Sequence, residues 1–272
     1  MRINLDQSLL FQGRGNVCKV VPVCLFLTPQ YSSSSMKQLI AATISAFVRM
    51  YEERPGIVTR WGDPLAGFCD AGSSAVRGLR CSVAPDHLMP EDILAGANVV
   101  VVYFLPFTRE LAATNCSGTL ASPAWVRAYA ETNALFAELN DLLVDLIRSR
   151  GGMAVVPGAA AGFAGESLMS RWSHRHFAVL AGLGTFGMNN MLITRAGCCG
   201  RVSSFAARIP VEPDVPLSGE LCLFRQRGAC GRYFARCPSG APSPEGLIGV
   251  GVLVSVWRMR RCIPVVMCAG SV

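Results

Sequence analysis

Apolar residues recur at helical spacing at Met36, Leu39, Ile40, Ile44, Phe47, Val48 and Tyr51, and Pro55-Gly56 ends the run. That spacing predicts an amphipathic helix. Asn98 to Leu105, NVVVVYFL, is a continuous β-branched and aromatic run closed by Pro106, which predicts a central strand buried on both faces. Ser122-Pro123 supplies a capping side chain followed by a proline suited to a first helical position. A long amphipathic helix follows on Trp125, Val126, Tyr129, Leu135, Phe136, Leu139, Leu142, Leu143, Leu146 and Ile147, and Gly151-Gly152 closes it.

Met153 to Pro157 reads as the next strand. From about Glu166 the positions of Leu168, Trp172 and Leu180 predict a helix ended by Gly182. Met191–Thr194 and Val202–Ile209 read as strands joined by the turn RAGCCG. Thr59–Ala71, with Pro64 and its glycines, reads as loop-rich. Residues 1–35 carry no period and end in a serine run, which predicts a poorly ordered extension. The order of elements predicts an α/β (α+β) fold, a mixed sheet with flanking helices over residues 36–215.

Composition narrows this picture only a little. With 51% apolar and 16% charged residues in 272, the chain is expected to be globular. A net charge of +7 suits an anionic partner such as RNA but equally suits a small-molecule enzyme. The twelve cysteines are not spaced as a secreted disulfide scaffold, and no signal peptide or membrane span is recognised. A reducing, cytoplasmic setting is the expectation.

Candidate chemistry gathers in Ser173–Arg201, which holds two of the three histidines, many glycines, Asn189-Asn190 and Cys198-Cys199. Gly182, Gly184 and Gly187 match G-x-G-x-x-G, but a helix is expected before them and a strand after, the reverse of a dinucleotide site. They are read instead as sites of tight turning, or of close approach by a flat ligand or another backbone. His174 and His176 lie two apart, so on a helix they diverge and do not share a metal. Either could give a proton or contact a phosphate; the plainer reading makes one a hydrogen-bonded core residue and the other a surface one. Cys198-Cys199 reads as a packed or solvent-lining thiol pair, with redox chemistry as the alternative. Cys222, Cys230 and Cys237-Pro238 have the outline of an iron–sulfur run in which Tyr233 occupies a middle ligand position.

Together WSHRHFAVLAGLGTFGMNNMLIT, GCCGR and the Cys222–Pro238 segment resemble epoxyqueuosine reductase and its iron–sulfur relatives. TRWGDPLAGFCDA, Leu88–Phe107 and WVRAYAETN extend the resemblance over about residues 36–241. It implies a corrinoid-linked reductase acting on epoxyqueuosine in tRNA, with cobalamin and 4Fe-4S clusters and an electron donor of the flavodoxin or ferredoxin type. No membrane or DNA partner is expected. On this resemblance Gly182, Gly184 and Asn190 line the corrinoid pocket, and Cys222, Cys230 and Cys237 ligate the first cluster. His174, His176 and Tyr129 are the catalytic candidates. Residues 216–245 would form a short, incomplete ferredoxin-like segment and 246–272 an atypical tail. The sequence departs from the pattern at Tyr233, at Ala128 (where the reductases carry an aspartate) and in that tail. An iron–sulfur electron-transfer or binding protein without substrate chemistry is the alternative, and a remnant that binds no cofactor is the third reading.

Overall fold

The computed structural model describes residues 33–118, 120–158 and 170–231, with 234, 237, 242–243 and 246–247. Tyr233, most of the 246–272 tail, residues 1–32 and the start expected for the Glu166 helix lie outside the described residues.

The fold is built on one four-stranded sheet. Its strands are β1 (Leu65–Asp70), β2 (Val99–Pro106), β3 (Met153–Val155) and β6 (Gly200–Arg208), in the order β1-β2-β6-β3. Every neighbouring pair is antiparallel, so the sheet is not mixed, and of the two fold classes the α+β one is the closer description. Two short strands, β4 (Gly184–Phe186) and β5 (Leu192–Thr194), form a separate antiparallel pair. Met191–Thr194 and Val202–Ile209 are therefore strands as expected, but of different sheets.

All eight residues of β2 are buried, and their side chains alternate between two cores. Val99, Val101, Tyr103 and Leu105 pack with Phe205 against helix α1 (Ser33–Glu52) and helix α6 (Pro123–Ser149), which supplies Leu135, Leu139, Leu143 and Ile147. Val100, Val102 and Phe104 face the opposite way, toward Trp172 and Phe177 and toward Val76, Leu79 and Leu94. Trp172 lies just before Ser173, the cap of helix α7 (His174–Leu180), and Phe177 belongs to that helix. The other three come from or adjoin the one-turn helices α2 (Ser74–Arg77), α3 (Leu79–Ser82) and α4 (Pro90–Ile93). Helices thus cover both faces of an antiparallel sheet.

Ser122 caps α6 as its side chain accepts from Trp125 N at 3.1 Å. Mid-helix, Asn140 is buried opposite β2 and β6, where it accepts from Tyr103 Oη at 2.8 Å and donates to Ser203 Oγ at 3.3 Å. A buried amide so satisfied fixes the helix in register on the sheet. β1 is an edge strand that the loop reading of Thr59–Ala71 missed. Asp214 covers that edge: its carboxylate accepts from Phe68 N at 2.8 Å, and its own N–H donates to Phe68 O at 2.7 Å. No helix among the described residues is long and apolar enough to cross a membrane.

Candidate functional site

The Ser173–Arg201 run folds onto the second face of the sheet and continues into β6, so its polar residues collect where α7 meets that strand. Ser204, on the α7 face of β6, is wholly buried. Its hydroxyl accepts from Trp172 Nε1 at 2.9 Å and shares a hydrogen bond with His174 Nδ1 at 2.7 Å. Ser173, just before α7, pairs its hydroxyl with His176 Nδ1 at 2.7 Å, and its N–H donates to His87 Nε2 at 3.0 Å. His87 is buried against Trp172 and Phe177. Two polar groups result: His174 and Trp172 meet on Ser204, and His87 and His176 meet on Ser173.

Burial makes these histidines hard to protonate. It pushes His174 down to about 4, and the charge of Arg201 works in the same direction. Burial pushes His176 down to about 4 too, helped by Arg175 and His87. Both rings are neutral at neutral pH, fit to accept or relay a proton rather than to bind an anion by charge. Their divergence on α7 is as expected: His174 turns to β6, while His176 packs at a tilt against Phe186, 4.7 Å between ring centres.

Arg201, at the start of β6, ties this cluster to α6. Its guanidinium lies 4.0 Å over the Tyr129 ring and donates to Asn133 Oδ1 at 2.9 Å. Burial pulls Arg201 below its usual range while Tyr129 opposes that shift. Tyr129 and His174 thus share one neighbouring cation, though they come from opposite sides of the sheet. Ala128 is fully buried in the helix–sheet core and offers no acid. Ser204, Arg201, Asn133 and His87 received no role in the sequence reading. A serine within an apolar strand run was the only available signal for Ser204.

Gly182 and Gly184 have structural duties in this fold. A Cβ on Gly184 would stand 2.1 Å from Ile193 O, and one on Gly182, at φ +71°, 2.4 Å from Val215 O. The space a larger side chain would need is filled by the protein's own backbone, not left for a planar ligand. Asn190 is exposed, left-handed at φ 58°, and its carbonyl accepts from Arg175. These three positions, as placed, do not form a corrinoid cradle.

The glycine run instead anchors the cysteine segment. Thr185 Oγ1 donates to Glu220 Oε1 at 2.6 Å and accepts from Leu221 N at 3.0 Å, and the same carboxylate accepts from Cys222 N at 2.9 Å. Burial opposes ionisation of Glu220, but these donors and Arg225 hold it below the usual carboxylate range. Cys222 is buried at the start of the short helix α8 (Leu223–Arg227). Cys230 is exposed with φ 82°, between the left-handed glycines Gly228 and Gly231, and Cys237 is half-buried. No group of three His, Cys, Asp or Glu side chains is placed to hold a metal among the described residues. As placed, then, the three thiols do not fit a cluster.

A 560 Å³ groove opens where β1 begins and β2 ends, lined by Asp63, Phe107, Thr108, Arg109, Arg195 and Ala196 among others.

No family model matches the sequence, and no curated protein does. Among solved structures, the chain is similar to an epoxyqueuosine reductase from Bacillus subtilis at 21% identity and a TM-score of 0.46, covering 76% of this chain and 55% of that one. It is also similar to an epoxyqueuosine reductase solved with an epoxyqueuosine-modified tRNA-Tyr stem loop, at 20% identity and a TM-score of 0.48, covering 78% and 55%. A catabolic reductive dehalogenase follows at 19% identity and a TM-score of 0.47, covering 74% and 25%. The chain spans about half the length of the epoxyqueuosine reductases it matches.

Proposed function

We propose that this chain is an oxidoreductase of the epoxyqueuosine reductase type whose substrate side is the polar end formed by His174, Ser204, Arg201 and Tyr129. The observation that carries the reading is that the Trp172–Arg201 run, which bears the sequence resemblance, brings His174 onto Ser204 and Arg201 onto Tyr129. Reducing an epoxide to an alkene requires two electrons and protonation of the departing oxygen. Tyr129, with its ring against Arg201, is the proton-bearing group at this end. His174, neutral and bonded to Ser204, relays rather than holds charge. The net charge of +7 suits a tRNA partner. Electrons would come from a flavodoxin- or ferredoxin-type donor in the cytoplasm.

Cobalamin and a 4Fe-4S cluster belong to the resemblance. The residues expected to hold them do not fit these groups as placed. The filled space at Gly182 and Gly184 and the absence of an acid at Ala128 favour a second reading, an iron–sulfur protein without substrate chemistry. Cobalamin separates the two. After anaerobic iron and sulfide reconstitution, the first reading predicts a saturable change in the corrinoid spectrum and reduction of an epoxyqueuosine-containing anticodon stem-loop. Tyr129→Phe should then lower turnover about 100-fold, as loss of a general acid does, while leaving the corrinoid spectrum unchanged. Iron uptake without cobalamin binding or turnover would establish the second reading instead.

A further inference from the structure

Three half-buried cations of this fold each meet an acid. Lys37 pairs with Asp214 at 2.5 Å, Arg54 with Glu138 at 2.7 Å and Arg171 with Asp86 at 3.1 Å. Arg201 is half-buried as well, yet it forms no ion pair among the described residues. No carboxylate is among the charges that act on it; only Tyr129 is. Arg175 likewise meets no acid, but the Asn190 carbonyl takes its guanidinium. Around Arg201 the neighbours are neutral. Tyr129 and Asn133 stand four residues apart on α6 and so share one face of that helix. The Tyr129 ring lies 4.0 Å from the guanidinium, and Asn133 Oδ1 accepts from it at 2.9 Å. That bond spends the only acceptor atom of the Asn133 side chain. What remains is rich in donors: the other guanidinium N–H groups, the Asn133 amide N–H pair and the Tyr129 hydroxyl, none with an acceptor among the described residues.

We propose that Arg201, Asn133 and Tyr129 form a binding site for a terminal phosphate group, taken as free phosphate or on a small phosphate monoester. A cation drawn out of water without a counter-charge is costly, and donors left without acceptors add to that cost; an oxyanion answers both. The planar fork of a guanidinium fits two phosphate oxygens at once. Tyr129 and Asn133 hold the fork in place without neutralising it. The donors outnumber the about four lone-pair sites of a carboxylate. A monoester, with one more terminal oxygen than a diester, takes up more of them. Where this ligand sits relative to the reductase chemistry rests on the proposed function; its binding does not.

Equilibrium dialysis of the full chain against radiolabelled inorganic phosphate tests the site without cobalamin, iron or turnover. The unaltered protein should take up a single phosphate per chain and keep it in about 0.15 M chloride, because partly buried charges are screened less than exposed ones. Glycerol phosphate should displace the label, and dimethyl phosphate, a diester, should compete several-fold more weakly. Asn133→Asp sets a carboxylate beside the guanidinium and so supplies the missing counter-charge. It should weaken phosphate binding about tenfold or more, while raising the urea midpoint in phosphate-free buffer. Those opposite changes separate a lost site from a lost fold. Arg201→Lys keeps the charge but not the fork and should weaken binding about tenfold. No saturable uptake, uptake abolished by the chloride, or undiminished uptake by Asn133→Asp would overturn the site. Equal competition by dimethyl phosphate would overturn the monoester as its ligand. A chain that binds phosphate and reduces no epoxide would contradict the proposed function and leave this site in place.

Discussion

Replacing Gly184 by alanine should destabilise the protein by about 3 kcal/mol or more, at the upper end for an over-packed position. The added Cβ would stand 2.1 Å from Ile193 O and 2.8 Å from Ile193 C, which are backbone atoms of the paired strand and cannot step aside as a side chain can. Either β4 separates from β5 or the strand slides, and both outcomes displace Thr185. Since Thr185 holds Glu220 and Leu221, and Glu220 holds Cys222 N, the start of the cysteine segment should loosen as well. Urea unfolding reads the first effect, and alkylation of the normally buried Cys222 reads the second. An unchanged midpoint, or Cys222 still protected, would mean that the glycine run does not anchor that segment.

Acid should weaken the fold well before its carboxylates titrate. His174 and His176 are held to about 4 in the folded chain, chiefly by burial, against about 6.5 when unfolded. Between these values the unfolded chain binds more protons, so stability is full above pH 6.5 and is lost as pH falls toward 4. Each ring can contribute a slope of up to about 1.4 kcal/mol per pH unit, reduced by its partial exposure, giving a total of a few kcal/mol. Buried His87, also lowered, adds in the same direction. Urea midpoints at pH 7.5 and 5.0 measure the effect. His174→Gln with His176→Gln should flatten most of the slope. A profile equally steep in the double variant would place the acid sensitivity elsewhere.

The elements legible from sequence were those whose pattern repeats locally. β2 is an unbroken apolar run because helices cover both faces of the sheet, and α1 and α6 announce themselves through spacing, a capping serine and closing glycines. β1 was hidden because Pro64 precedes it and Gly67 interrupts it, while its partner β2 lies about thirty residues away. The glycine run was expected to follow a helix and precede a strand, and α7 and β5 stand in those places. Which backbone those glycines admit was not legible, because Val215 and Ile193 meet them only through tertiary packing. The histidines were visible, but their partner was not: Ser204 is thirty residues from His174 and becomes significant only when β6 turns it toward α7.

In the proposed reading Cys222, Cys230 and Cys237, which do not stand together as a metal site among the described residues, would close around an iron–sulfur cluster on binding it, with Tyr233 in the place of a fourth ligand. Ligand segments of this kind often close only around their metal, because binding and folding are coupled. The most direct measurement is iron and sulfide per chain, after anaerobic reconstitution, in the unaltered protein and in Tyr233→Cys. The account predicts roughly three irons per chain in the first and about four in the second, with a broad visible charge-transfer band in both. No iron in either protein, or the same iron content in both, would contradict it.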